Sequence, residues 1–246
     1  MMFIWAMPLV IVLGLAFLGL VRCRMPRDMS KERPEDYDAA LAYDRVSRSP
    51  LFSFIRRVFV RRLKEYGPRG TLLDAGCGPG YLAITIAEEF PQLGVVGVDV
   101  SEDALGIATG HALSLAPGRS PRFLEADVAR LPLEDGSVDF AVSTLSLHHW
   151  RDPDLSFREI YRVLRPQGQL LLFDLRRDMP RLLFWIIRFG QRYVAPPAIR
   201  RTNGGVGSVW SSLTAREIDA VLSASPFREW SVRREWGWVT VWAKKQ

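Results

Sequence analysis

The sequence predicts an α/β fold. It reads as a mostly parallel sheet of seven strands with helices on both faces, closed by a late antiparallel hairpin and preceded by an apolar span. Three observations predict it. Short apolar runs alternate with helical stretches from Gly70 onward. A glycine-rich turn joins the first of those runs to a helix, and the stretch Met1 to Val21 carries no charged side chain. The 246 residues are 48% hydrophobic and 24% charged, globular values that exclude disorder and collagen-like structure. With only Cys23 and Cys77 there is no disulfide framework, four-cysteine zinc site or fully Cys-ligated iron–sulfur cluster, and three histidines make a His-rich metal site unexpected.

The elements follow in order. At 1.5 Å per residue, Met1 to Val21 makes about 30 Å of helix, the thickness of a bilayer core. We expect residues 1–24 to form a transmembrane anchor. A secretory signal would need a basic amino-terminal region and a small-residue cleavage site, and neither is evident. A start at Met25 or Met29 is the alternative, and it would leave a cytoplasmic protein. Residues 25–66 read as a basic linker with two pre-domain helices, one around Glu35 to Val46 and one over Leu51 to Tyr66 with Arg56, Arg57, Arg61, Arg62 and Lys64 interleaved. The domain proper spans residues 67–246. TLLDAG is strand-like, Tyr81 to Phe90 helical, VVGVDV strand-like and Glu102 to Leu115 helical. RFLEAD and VDFAVST are strand-like, Asp154 to Leu164 helical and QLLLFDL strand-like. Ala215 to Ser225 is a last helix, and two strand-like segments with a short connection make the hairpin.

The strongest local signal is LLDAGCGPG, Leu72 to Gly80. A strand runs into D-x-G-x-G-x-G and a helix follows. Gly76, Gly78 and Gly80 let the backbone turn and let a ligand approach without a Cβ in the way. Helix N-terminal amides then face that ligand. Asp99 ends the next strand, 21 positions after Gly78, where an acid can accept both hydroxyls of a ribose. A dinucleotide G-x-G-x-x-G would need glycine at Tyr81, and no Lys-Ser or Lys-Thr pair completes a P-loop.

These residues resemble the class I S-adenosylmethionine-dependent methyltransferases, whose fold is Rossmann-like. The resemblance extends through EADVARLPLEDGSVDFAVSTLSLHHWRDP and EIYRVLRPQGQLLLFDL, closely over Tyr37 to Asp178, and looks like the small-molecule branch that includes quinone and sterol methyltransferases. It implies S-adenosyl-L-methionine as cofactor, held by Asp74, Gly76, Cys77, Gly78 and Gly80, by Asp99 and Val100 at the ribose, by Asp127 and Val128 at the adenine, and by Tyr43 and Ser143. It implies no metal. In similar proteins the segment bearing Tyr43 folds over the cofactor. One departure is visible: quinone C-methyltransferases carry an Arg-Asn-bearing loop after the fourth strand, where this chain has LSLHHW.

Methyl transfer needs alignment, desolvation and exclusion of water, with a general base only where the acceptor loses a proton early. His148 and His149, after the fourth strand, are the candidate catalytic residues, with backbone or loop-shaping roles as the alternative. Asp174, ending the fifth strand, faces the acceptor or caps the next segment. Cys77 reads also as a small packing residue. The insert at about 178–212 is where the family builds its substrate cover. Within it Arg181, Arg188 and Arg192 fall within about 40° on a helical wheel against a broad apolar face, which suits a lid helix or an interfacial one. Arg200, Arg201 and NGGVGS can serve as a gate.

Charge divides unevenly. Residues 1–70 carry 13 basic and 7 acidic side chains, 71–150 carry 3 and 11, and 151–246 carry 17 and 9. The acidic middle holds the glycine loop, and the basic ends flank the span and the insert. Arg22, Arg24, Arg27, Lys31 and Arg33 follow the span, so the positive-inside rule puts the amino terminus outside and the catalytic domain in the cytoplasm. The expected partners are a small, lipophilic methyl acceptor and membrane lipid, not nucleic acid, for which no recognition module is visible. A soluble metabolite, a protein acceptor or a non-catalytic cofactor-binding module are the alternatives. Oligomeric state is left open.

Overall fold

The computed structural model describes residues 18–31, 37–113 and 120–246. Its elements are α1 (Tyr37–Ser47), α2 (Pro50–Glu65), β1 (Thr71–Ala75), α3 (Tyr81–Glu89), β2 (Gly94–Asp99), α4 (Glu102–Ala112), β3 (Arg122–Glu125), β4 (Val138–Thr144), α5 (Pro153–Val163), β5 (Leu164–Leu175), α6 (Arg181–Tyr193), α7 (Pro197–Thr202), α8 (Gly204–Ser211), α9 (Ala215–Ala224), β6 (Glu229–Arg234) and β7 (Trp238–Lys244). A short 3₁₀ turn, Leu147–His149, follows β4. The strands form one sheet in the order β3-β2-β1-β4-β5-β7-β6. All pairs are parallel except those of β7, which runs antiparallel to both β5 and β6.

Alternation along the strands assigns the two faces of the sheet. In β1, Leu72 packs with Phe59, Leu63, Leu82 and Ile86 of α2 and α3. Its neighbour Leu73 packs on the opposite face with Phe157, Ile160, Ile218 and Leu222 of α5 and α9. Leu72 and Leu73 are both wholly buried, so β1 reads as a continuous apolar run, as a central parallel strand must. Caps sharpen the helix starts: Ser101 accepts from the Ala104 amide, Asp152 from the Leu155 amide, and Thr214 forms a reciprocal capping box with Glu217.

Strand order reverses beside β1, with β2 on one side and β4 on the other. This opens a crevice at the carboxyl ends of those strands, where ligands of open α/β sheets bind.

The structure changes some expected boundaries. β5 begins at Leu164, five residues before the expected QLLLFDL, because Leu164 already pairs with Val138, and the extra residues of β5 bulge before Gln169 rejoins the ladder opposite Phe140. The first pre-domain helix starts at Tyr37, and the helix from Glu102 is described to Ala112. The linker expected between residue 25 and the helix around Glu35 is tied down over its described part. Arg27 donates to Ser211 O and Trp150 O, the Asp28 amide donates to Trp210 O, and the buried Arg177 donates to Met25 O. Just upstream, Arg22 bridges to Pro180 and the Cys23 amide donates to Met179 O. Among the described residues no helix is long and apolar enough to cross a membrane. The span expected over residues 1–24 lies for the most part outside the described residues.

Candidate active site

The crevice holds a cavity of about 1060 Å³. Its floor is the turn after β1. Gly76 and Gly80 have φ of +78° and +77°, in the left-handed region where a Cβ is penalised. Space forbids one as well. A Cβ on Gly76 would overlap Ser146 Oγ, and one on Gly80 would meet Ala108 and Phe123 below 3.0 Å. Sequence spacing identified these glycines. The Ser146 side chain that makes the first of them obligatory comes from a loop 70 residues away, which spacing does not reveal.

Five acids line the cavity, Asp74, Asp99, Glu102, Asp103 and Asp127, and three of them stand at the expected positions. Asp99 Oδ2 accepts the Gly78 amide at 2.7 Å and Oδ1 accepts the Ser101 amide at 3.0 Å. Burial raises its carboxyl above the ordinary range, and the Ser101, Gly78 and Val100 amides pull it back. Asp127 is exposed, and its Oδ1 accepts the Ala129 amide. Asp74 is buried to 1% exposure, and among the described residues its Oδ2 accepts no hydrogen bond. Burial first, then the charge of Asp99, push its carboxyl up to about 7. Val100, 65% exposed, and the buried Val128 contribute apolar surface to the same cavity.

Tyr43 closes the cavity from α1, its ring 3.8 Å from where a Gly78 Cβ would stand. A polar cluster fixes α1 there. Tyr81, the first residue of α3, donates its hydroxyl to the buried Asp44 at 2.7 Å, and Arg48 donates to the Tyr81 hydroxyl at 2.7 Å. His111 of α4 lies 3.1 Å by Nδ1 from Pro79 O, inside the glycine turn. None of Asp44, Tyr81 or His111 stands out in the sequence, because the three come together only through packing.

Gly80 and Ser143 are the expected site residues that do not line the cavity, and Ser143 serves the sheet instead. It is wholly buried and donates to Ala75 O at 2.7 Å, locking β4 to the end of β1. Cys77 lines the cavity, but its thiol turns toward Gly97 beneath the loop. Burial, with Asp74 and Asp99 adding, drives that thiol well above its ordinary range, which fits a packing role better than a nucleophilic one.

After β4 the chain passes through Leu145, which has φ of +53°, into the turn that carries the histidines. This is a rare conformation for leucine, and it lies on the cavity wall. His148 is buried, its Nδ1 2.7 Å from Asp174 Oδ1, and its amide donates to Asp174 Oδ2 at 3.0 Å. Asp174, left between two roles on sequence grounds, is thus the residue that orients His148. The His149 ring lies 4.1 Å from that of His148, tilted by 41°, and opens to the cavity while protein surrounds it. Burial, with His148 adding, holds it well below the ordinary imidazole range, hence neutral. Met29 and Ser30, from the amino-terminal segment, and Ser211 of α8 complete the wall near the histidines.

A family model described as "Methyltransferase domain" matches residues 73–172, from β1 to the middle of β5. This stretch is similar to a methyltransferase domain. The ubiquinone/menaquinone biosynthesis C-methyltransferase of Syntrophotalea carbinolica is 32% identical over 156 residues, which is 63% of this chain and 65% of that protein. The demethylmenaquinone methyltransferase of Thermus thermophilus is 35% identical over 142 residues, 56% of this chain and 62% of that one. The matches therefore span just under two thirds of these relatives' lengths. Among solved structures, an S-adenosylmethionine-dependent methyltransferase from Methanococcus maripaludis shares the fold with a TM-score of 0.65 at 22% identity, covering 87% of this chain and 96% of that one.

The donor set of the cavity fits S-adenosylmethionine. Asp99 retains acceptor lone pairs for a ribose diol, and Asp127 and Val128 line the same cavity. Asp74 presents a buried acceptor whose charge a cationic amino-acid group would stabilise.

Proposed function

We propose that this chain transfers a methyl group from S-adenosylmethionine to a small, lipophilic acceptor, and that it does so at the cytoplasmic face of a membrane with residues 1–24 as its anchor. The observation that carries the chemistry is Asp74 Oδ2, a buried acceptor without a hydrogen bond among the described residues, opening onto a cavity that also presents Asp99 and Asp127. When bound, S-adenosylmethionine supplies an electrophilic methyl group on a sulfonium that departs as a neutral thioether. The chain's residues do the rest. Asp99 and Asp127 orient, Tyr43 covers the glycine turn, and Phe52, Ile55 and Trp150 make part of the cavity apolar, where water is disfavoured. His148, held by Asp174, receives the proton that the acceptor sheds as its new bond to the methyl carbon forms. The lipophilic acceptor is supported by the relatives named for quinone methylation and by the uncharged run at the amino terminus. The LSLHHW loop differs from that of the quinone C-methyltransferases, so the proposal stops at the chemical class.

The test is incubation of membrane extract with methyl-labelled cofactor and separation of lipid, metabolite and protein fractions. Label in the lipid fraction is expected. Label confined to the aqueous metabolites would remove the lipophilic acceptor, and calorimetry showing no binding of S-adenosylmethionine or its demethylated product would remove the enzyme reading altogether.

A further inference from the structure

α6 follows β5 and is amphipathic, yet among its residues none is buried. Its inner side, with Leu183, Phe184 and Ile187, packs on Cys23, Met179 and Val209. The outer side has no such cover among the described residues. On a helical wheel Leu182, Trp185, Ile186, Phe189 and Tyr193 fall within about 100°. Of these, Trp185 is 51%, Ile186 54%, Phe189 63% and Tyr193 66% exposed, and Val194 just beyond is 76% exposed. Arg181, Arg188 and Arg192 form the flank. Arg188 lies over the Trp185 ring at 5.0 Å and Arg192 over the Tyr193 ring at 5.5 Å. From Met179 to Arg216 the sequence contains no acidic residue.

Two neighbours extend this surface. The chain leaving the uncharged run Met1 to Val21 meets the start of α6 directly: Arg22 bridges to Pro180, and the Arg181 amide donates to Val21 O at 2.8 Å. Leu20, 79% exposed, precedes that junction. The turn between β6 and β7 adjoins it, since Arg22 donates to Trp236 O and Leu183 fills the space beside Gly237. Trp236 itself is 48% exposed.

We infer that the outer face of α6 is an interfacial docking surface for a bilayer rich in anionic lipid, with the helix lying in the headgroup plane. Aromatic and aliphatic side chains enter the acyl boundary while the arginine flank stays among the phosphates. The occupant follows from two observations. A cationic, acid-free flank complements anionic headgroups and repels a basic partner such as a second copy of this face. An uncharged run long enough to cross a bilayer also ends at the first residue of this helix. The inference shares with the proposed function only the membrane setting, and it holds whatever acceptor is methylated. It adds a route: α6 packs on α8, whose Ser211 lines the cavity beside the histidine turn, so an acceptor leaving the bilayer here would have one layer of helix to pass.

The experiment places a spin label at Phe189→Cys or Ile186→Cys in the full chain, with a control label at Glu134→Cys on the loop before β4. Native Cys23 and Cys77 are buried. The chain is reconstituted in phosphatidylcholine vesicles with and without phosphatidylglycerol. With phosphatidylglycerol, labels at 186 and 189 should collide several-fold more with oxygen than with a water-soluble nickel chelate, and the control should show the reverse. Without it, the oxygen preference should shrink. Labels that stay as accessible to nickel as the control would overturn the inference, whether or not the protein methylates anything. So would labels shielded from both reagents, or already shielded before vesicles are added, because another protein surface or the chain's own amino-terminal run would then cover the helix.

Discussion

His148 and Asp174 are joined twice: the imidazole Nδ1 lies 2.7 Å from Asp174 Oδ1, and the His148 amide donates to Asp174 Oδ2 at 3.0 Å. One carboxylate, 1% exposed at the end of β5, therefore fixes both the backbone and the ring of the residue after β4. A side chain held this way has one orientation to offer the cavity. Asp174→Asn should lower kcat by about 100-fold, with Asp174→Glu recovering part of it, and His148→Asn should lower it by about 100-fold or more. The dissociation constant for S-adenosylmethionine should change less than about twofold. A parallel loss in cofactor affinity, measured by calorimetry, would mean that the pair only shapes the turn.

Asp74 links pH to both stability and binding. Its carboxyl is raised to about 7 in the folded protein against an ordinary 3.8. Between those values the folded state holds a proton that the unfolded chain has lost, so this group's contribution is present below about pH 4 and disappears as pH rises through 7. Asp74→Asn should therefore raise the melting temperature of the cofactor-free protein at pH 8 and flatten its decline from pH 5 to pH 8. Cofactor affinity in the unaltered protein should weaken as pH falls through 7, and in Asp74→Asn it should be low and pH-independent. Calorimetric titration across that range checks both.

Gly76 and Ser146 define one steric contact. Gly76→Ala should destabilise the protein by about 1–3 kcal/mol, through positive φ and overlap with the serine hydroxyl. Adding Ser146→Gly removes the overlap but not the backbone cost. The double variant should regain part of the loss relative to Gly76→Ala, and denaturant unfolding of all four proteins in the cycle measures the coupling. Strict additivity would count against the contact.

Arg177 is buried and donates to Met25 O, Ser212 O and Glu217 Oε1 at 2.6–2.7 Å. Arg177→Met should cost about 2–4 kcal/mol, since it orphans two carbonyls and a carboxylate partner. It should also release the amino-terminal segment, so trypsin should cut after the exposed Arg24 faster than in the unaltered protein. An unchanged cleavage rate would show that the segment is held by Arg27 instead.

What the sequence disclosed was local. The glycine turn, Asp99 and Asp127 each belong to a strand end, and strand ends are visible as apolar runs punctuated by glycine and acid. The seven strands were legible for the same reason, including the hairpin, whose antiparallel pairing follows from its short connection. What stayed hidden depends on residues distant in sequence. Arg27 and Arg177 look like solvated charges until remote carbonyls surround them, so residues 25–31 read as a linker. Tyr81 reads as the start of an amphipathic helix, and only the packing of α1 against α3 and α4 places it between Asp44 and His111. Ser143 looks like a site residue from its position on β4. The strand's alternation instead turns it inward to Ala75, which resemblance to a motif does not reveal.

The docked amino-terminal segment has a practical consequence. Met29 and Ser30 form part of the cavity's wall, and they are held there through Arg27, Asp28 and the bridge between Arg22 and Pro180. A shortened chain beginning at Tyr37, an obvious choice for making the domain easier to handle, would remove a side of the chamber along with the leash. Its substrate range and solvent leakage would then report on a breached vessel rather than on the enzyme.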